Sequence, residues 1–161
     1  MRTIEGTQSA VGFRFAVIVS KYNDFVTDRL QEGALAALAA AGVEAKDITV
    51  VRVPGAFEIP IAAQHAARSG GYDAVVCLGC VVRGETPHFE YIASAVSHGL
   101  TAGAAASGVP MTFGVLTTNS IEEAIERAGE GPSNKGWEAA TAAIEMVAVV
   151  AQLARRPAPP A

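Results

Sequence analysis

The sequence predicts an α/β fold: a three-layer sandwich around a four-stranded parallel sheet. Three observations lead there. Four continuous apolar runs, rich in Val and Ile, have the length and content of strands buried on both faces. Each is followed by a segment with helical character, so strands and helices alternate along the chain. At 161 residues, the chain suits one domain with enough sequence for a real core. Parallel neighbours need crossover connections, which puts helices on both faces with right-handed crossovers.

Met1–Val11 carries no strong pattern, and Ile4 suits a short edge strand. Phe13–Ser20 (FRFAVIVS) is the first strand. Lys21–Asp24 is a polar loop with a cap. Phe25–Ala41 has apolar residues at helical spacing (Phe25, Leu30, Ala34, Leu38) and ends at Gly42, a glycine of the kind that terminates helices. Asp47–Val53 is the second strand. Pro54–Gly55 punctuates, and Ala56–Ser69 is helical, with Pro60 near its first turn, where proline is tolerated. Tyr72–Val82 is the third strand. Thr86 suits an N-cap and Pro87 the first position of a helix running to Ser107. Val109–Thr118 is the fourth strand. Ser120 and Glu123 form a capping box for Ile121–Ala128. Gly129–Gly136 is a loop, and Trp137–Ala154 is the last helix. The domain is expected to span 1–161, with 1–12 as an N-terminal arm and 155–161 (RRPAPPA) as a disordered tail. The architecture is flavodoxin-like in size.

Half of the residues are hydrophobic and 17% are charged. That is apolar for a monomer of this size, and a homo-oligomer with buried contacts is expected. A net charge of −4 argues against nucleic-acid binding, which needs a basic face. No apolar run reaches the ~18–20 residues of a membrane span, and MRTIEGTQSA lacks a signal peptide's layout. The expected location is cytoplasmic. Cys77 and Cys80 form a C-x-x-C, yet inside a strand-like run they face opposite ways, so redox or zinc chemistry is not read from them.

Ligands of open α/β sheets bind outside the strands' carboxyl ends. The loops there are Lys21–Asp24, Pro54–Glu58, Val82–His88 and Leu116–Ser120. None matches a dinucleotide fingerprint or a Walker loop. No Ser-His-Asp arrangement is legible, and no acidic cluster for Mg²⁺. What remains is an aromatic (Tyr22), a carboxylate (Glu58), free backbone N–H groups at Gly84–Thr86, and His88. N–H groups at a helix start favour an anion such as phosphate. An imidazole moves protons near neutral pH. The set suits a planar polar ring beside a phosphate.

The chain also carries Lys21-Tyr22-Asn23, Pro54-Gly55-Ala56-Phe57-Glu58-Ile59-Pro60, Gly79 with Arg83-Gly84-Glu85-Thr86-Pro87-His88-Phe89, Gly114-Val115-Leu116-Thr117-Thr118, and Glu126-Arg127-Ala128-Gly129 with Asn134-Lys135-Gly136. With these five motifs in order, it resembles the 6,7-dimethyl-8-ribityllumazine synthase family from about Phe13 to Leu153. The resemblance implies a transferase of riboflavin biosynthesis. Its reaction condenses 5-amino-6-(D-ribitylamino)uracil with 3,4-dihydroxy-2-butanone 4-phosphate, releasing phosphate and water. It implies His88 as general acid/base and Tyr22 stacked on the pyrimidine. Family members commonly have Phe or Trp at that position. Ala56, Phe57 and Glu58 would hold the ribityl chain, and Cys80, Val81 and Val82 the pyrimidine edge. Glu85 and Thr86 would contact phosphate, Glu85 by its backbone N–H with its side chain turned away. Phe113 and Arg127 would come from a neighbouring subunit, Phe113 lining the ring pocket and Arg127 binding phosphate, with Lys135 supporting that wall. No cofactor and no metal are implied. The resemblance further implies pentamers, an N-terminal strand added to a neighbouring subunit's sheet, and in some members 60-subunit icosahedral shells. The short Gly129–Gly136 loop suits shell formation, though Pro132 and Ser133 depart from the shell-formers' usual pattern. Riboflavin synthase is the implied partner enzyme.

Plainer roles exist for several of these residues. Arg127 could answer a helix dipole, Phe113 could be core, and Glu58 could be a first-turn carboxylate. His65, His98 and Trp137 read as surface, packing or interface residues. Two other functions remain open at this point: a non-catalytic lumazine- or flavin-binding protein of the same fold, and a mainly structural shell protein.

Overall fold

The four apolar runs become β1 (Phe15–Ser20), β2 (Ile48–Val53), β3 (Ala74–Val82) and β4 (Met111–Thr118) in the computed structural model, which describes residues 1–155. The expected disordered tail lies, from residue 156 on, outside the described residues. The strands form one parallel sheet in the order β2-β1-β3-β4. β1 is buried along its whole length, and β3 up to Val82. Both lie inside the sheet and are covered on both faces, which is why their sequences are continuous apolar runs rather than alternating ones. β2 is an outer strand and is largely open to solvent.

Five helices cover the sheet: α1 (Asp24–Ala40), α2 (Ile59–Arg68), α3 (His88–Ser107), α4 (Ile121–Arg127) and α5 (Lys135–Ala154). Alternation along β1 sends Phe15, Val17 and Val19 to one face, where they meet Leu30 and Leu38 of α1, Ala124 of α4, and Ala140, Ile144 and Val147 of α5. Ala16 and Ile18 point the other way, towards Ile59 and Ala63 of α2 and Val96 and Leu100 of α3. The result is the predicted three-layer sandwich. α5 has the length and composition of a membrane-crossing helix. One face of it packs on α1 and the sheet, and Met146, Val150 and Leu153 remain exposed on the other.

The helix ends show how local chemistry sets boundaries. α1 closes as expected at Gly42 (φ +85°), where the Gly42 N–H reaches the Ala39 carbonyl and the Val43 N–H the Leu38 carbonyl. This paired bonding satisfies carbonyls that the helix end would orphan. The Ala56–Ser69 helix is shorter than predicted. Ala56–Glu58 is a 3₁₀ turn, and α2 begins at Ile59. Pro60 cannot donate a backbone hydrogen bond, so the chain tightens before it. Thr86 does not cap α3. Pro87 itself occupies the cap position (φ −71°, ψ 5°) and the helix starts at His88. α5 begins two residues earlier than expected, at Lys135, because Asn134 is a true N-cap: its side-chain oxygen accepts from the N–H groups of Gly136 and Trp137 at 2.7 and 3.2 Å. No strand forms at Ile4. Residues 1–14 instead engage other partners, with the Gln152 amide donating to the Glu5 carbonyl at 2.7 Å and the Ala10 N–H to the Ala41 carbonyl at 2.9 Å.

Candidate active site

β1 connects outward to β2 on one side, and the chain then crosses back to β3 on the other side of β1. The sheet order therefore reverses between β1 and β3, and the crevice outside their carboxyl ends is where such sheets take ligands. Three loops meet there. The loop after β1 extends the β1–β2 ladder: the Lys21 N–H donates to the Val53 carbonyl at 2.8 Å and the Tyr22 N–H to the Pro54 carbonyl at 3.1 Å. Asn23 follows in the left-handed region (φ 62°, ψ 44°), and its side-chain amide donates to the Cys80 carbonyl at 3.0 Å. Asn tolerates that backbone better than most residues do. One asparagine thus turns the chain into α1 and ties Tyr22 to the end of β3.

The second loop is the turn at Ala56–Glu58. Its tight geometry leaves the N–H groups of Ala56 and Phe57 without a partner among the described residues. The third runs from β3 to α3. The Arg83 N–H donates to the Thr118 carbonyl at 2.8 Å and ends the β3–β4 ladder. Beyond it, the N–H groups of Gly84, Glu85 and Thr86 find no partner among the described residues. They precede a helix N-terminus whose dipole favours negative charge.

These loops enclose a cavity of about 910 Å³ bordered by Tyr22, Ala56, Phe57, Glu58, Cys80, Val81, Val82, Thr86 and His88. Nine of the predicted site residues therefore come together. Glu85 does not border the cavity, although Gly84 and Thr86 on either side do. Tyr22 and Phe57 are 72% and 63% exposed. Large rings left open beside a deep cavity are surfaces for stacking, not core. Glu58 brings a carboxylate and His88 an imidazole to the cavity lining, so the cavity offers a proton carrier, open aromatic faces and free N–H donors.

Phe113, Arg127 and Lys135 lie elsewhere. They border a second cavity of about 350 Å³ along β4, α4 and the start of α5. Phe113 is 47% exposed, so it is not the core residue its strand position allowed. The Arg127 side chain makes one hydrogen bond among the described residues, from Nη1 to the Glu123 carbonyl at 3.2 Å. Lys135 pairs with Glu138 at 2.8 Å. Within one chain these three residues do not join the first cavity.

Sequence reasoning missed part of the lining. Asn23, Phe89, Ile92 and Ile121 also border the large cavity. For Asn23 a signal existed, since Asn before a helix marks a cap or a left-handed turn. Ile121 gave none, because it reaches the cavity only through the β3–β4 pairing. The cysteines behave as expected of a strand: Cys77 belongs to the α2–α3 side and Cys80 to the α1–α5 side. Burial pushes the Cys77 thiol well above its ordinary range and the Cys80 thiol up to about 11, so neither is an available nucleophile.

A sequence model described as 6,7-dimethyl-8-ribityllumazine synthase matches residues 12–151. Proteins of that name are similar over nearly the whole chain. The one from Desulfatibacillum aliphaticivorans is 53% identical across 94% of this chain and 97% of its own length. That from Syntrophus aciditrophicus (strain SB) is 54% identical across 92% and 97%. That from Nitratidesulfovibrio vulgaris (strain DSM 19637 / Miyazaki F) is 52% identical across 95% and 98%.

Proposed function

The chain belongs to the 6,7-dimethyl-8-ribityllumazine synthase family, and from that premise we propose that it catalyses the condensation of 5-amino-6-(D-ribitylamino)uracil with 3,4-dihydroxy-2-butanone 4-phosphate. The observation that carries the proposal is the 910 Å³ cavity at the sheet's switch point, where His88, Glu58, two open aromatic rings and unpaired N–H groups converge. Tyr22 stacks on the pyrimidine. The free N–H groups of Ala56 and Phe57, with the Glu58 carboxylate, take the ribityl hydroxyls. Cys80, Val81 and Val82 meet the edge of the ring. The N–H groups of Glu85 and Thr86 receive the phosphate.

The chemistry is a succession of proton transfers. The pyrimidine's amine attacks the ketone, and loss of water leaves an imine. A proton is taken from the adjacent carbon as phosphate leaves, and the enol so formed becomes a ketone. The ribityl-bearing nitrogen attacks that carbonyl, and loss of a second water closes the ring. His88 gives and takes the protons, a role that contributes ~10²–10⁴-fold. Holding two small reactants in register supplies roughly 7–11 kcal/mol more. Product passes to riboflavin synthase in this reading, and the reaction runs in the cytoplasm.

Phe113, Arg127 and Lys135 complete the site from a neighbouring copy, with Arg127 on the phosphate. Their separation from the main cavity within one chain supports this. Head-to-tail contacts of that kind form rings when their rotation closes, and a ring of five is the assembly proposed here on the family resemblance. The N-terminal arm then adds a strand beside the neighbour's open β2 edge. Twelve rings closing into a 60-subunit shell is the further assembly proposed, and light scattering distinguishes five 16.5 kDa chains from sixty.

The test is direct. Purified protein is mixed with the two substrates and product is followed by absorbance against an uncatalysed control. Acceleration is expected. His88→Ala should lower kcat by about 10²-fold, and Arg127→Ala should raise the KM for the butanone phosphate. No acceleration by folded wild-type protein would sink the reading.

A further inference from the structure

Arg83 stands outside the lining of the large cavity, yet it touches three parts of its frame. Its Nε donates to Asn119 Oδ1 at 3.0 Å, its Nη1 donates to Glu90 Oε1 at 3.3 Å, and its guanidinium lies 4.6 Å from the centre of the Phe89 ring. Asn119 is held in turn, because its N–H donates to the Glu123 carboxylate at 3.0 Å. Glu90 and Phe89 belong with His88 to the first turn of α3, and His88 and Phe89 border the cavity. The Arg83 backbone is anchored as well, to the Thr118 carbonyl.

Between Arg83 and His88 the loop has little holding it. The N–H groups of Gly84, Glu85 and Thr86 have no partner among the described residues. The space where a Cβ at Gly84 would stand is open. A loop with free amides is positioned by its ends. One end is the Arg83 backbone, and the other is the first turn of α3, which the Arg83 side chain grips.

We propose that Arg83 is a positioning residue that presets the Gly84–Thr86 amides and His88 for an oxyanion ligand, by tying the first turn of α3 to the β4–α4 loop. The inference rests on reading those amides as the phosphate cradle. Its geometry requires a planar fork: one N–H edge for Asn119, another for Glu90, and a flat face on Phe89. A lysine carries the charge but not that shape. The contacts are solvent-exposed, with Arg83 and Glu90 side chains 48% and 65% accessible, and exposed ion pairs add little to stability. Losing them therefore loosens the site more than the fold.

The experiment compares wild type with Arg83→Ala, Arg83→Lys, Asn119→Ala and the Arg83→Ala/Asn119→Ala double variant. Steady-state kinetics uses both substrates, calorimetry uses inorganic phosphate, and thermal unfolding is run at fixed protein concentration. Arg83→Ala should raise the butanone-phosphate KM and the phosphate Kd about tenfold, since small misplacements of a binding loop have effects of that order. The KM for the ribitylaminouracil should stay within about twofold, and Tm should barely move. Arg83→Lys should match Arg83→Ala. Asn119→Ala should move the same constants, and the double variant should be no worse than Arg83→Ala. Recovery of wild-type constants by Arg83→Lys would overturn the inference, because charge alone would then suffice. Equal rises in both KM values, or a collapse of Tm alongside activity, would overturn it too. A wild type inactive in condensation sinks the proposed function, while the phosphate comparison still decides the role of Arg83. A wild type that also binds no phosphate overturns both.

Discussion

Asn134 uses both ends of its side chain. Oδ1 caps α5, and Nδ2 donates to the Arg29 carbonyl at 3.1 Å and the Gly129 carbonyl at 2.8 Å. The residue is 3% exposed, so a truncation leaves groups without partners in a place water does not fill. Asn134→Ala should cost about 3 kcal/mol and lower Tm by roughly 6–12 °C, read by thermal unfolding at fixed concentration. Two positions on, a Cβ at Gly136 would run into the Leu30 carbonyl. Both atoms there are backbone, so Gly136→Ala has to push α5 away from α1. Loss of at least about 3 kcal/mol is expected in chemical denaturation. Cys77 leads to a pH prediction. Its thiol, ordinarily titrating at 9.0, is raised by burial in the folded chain. Below pH 9 neither state ionises and the contribution is constant. Above it the unfolded chain releases a proton that the native chain keeps, so stability falls as pH rises. Wild type should lose about 1.4 kcal/mol per pH unit more than Cys77→Ala across pH 9.5–11, measured by urea unfolding at each pH.

At the scale of elements, α4 is the shortest of the five helices among the described residues. It has seven residues, too few to be stable alone. The Ser120 hydroxyl accepts from the Glu123 N–H at 3.2 Å, and the Glu123 carboxylate accepts from Asn119 rather than from Ser120. The predicted capping box is thus present with its return bond shifted by one residue. Ser120→Ala should cost about 1 kcal/mol and, because Arg127 ends this helix, should weaken butanone-phosphate binding in steady-state kinetics. The contrast between α4 and α3 shows what the sequence made legible. Ser120 and Glu123 announce their helix by local bonds alone, so the pattern can be read. Thr86 and Pro87 offered an equally good local pattern that the chain does not use; Thr86 borders the cavity instead. β1 and β3 were legible because inner parallel strands must be apolar throughout, and the outer strands β2 and β4 by their runs of β-branched residues. Their first one or two residues were overextended, since Phe13 and Tyr72 are apolar for packing and not for pairing.

On the scale of the whole molecule, the expected site residues border two separate cavities within one chain. Tyr22, Glu58 and His88 were legible as neighbours because they follow successive strands at one sheet edge. Phe113, Arg127 and Lys135 could not be placed beside them by any rule of local pattern, and within the chain they border a different cavity. That division yields a prediction. His88→Ala and Arg127→Ala proteins, each impaired, are mixed, dissociated and reassembled. If each site draws His88 from one copy and Arg127 from the next, about a quarter of the interfaces in the hybrid regain both wild-type groups. Activity should recover towards that fraction. Recovery that stays at the mean of the two variants would mean that the site is complete within one chain.

The pairing of α1 with α5 has a consequence in time. Asn134 reaches Arg29 across 105 residues, and Gln152 reaches Glu5 across 147. β1 and β3 need both helices to cover one face of the sheet. During synthesis, at about 5–20 residues per second, α1 leaves the ribosome on the order of ten seconds before α5 exists. For that interval the nascent sheet carries Val17, Val19, Val76 and Leu78 with only part of their cover. The chain is therefore exposed to the attentions of chaperones and to sticky encounters between neighbouring polysomes until its last helix docks.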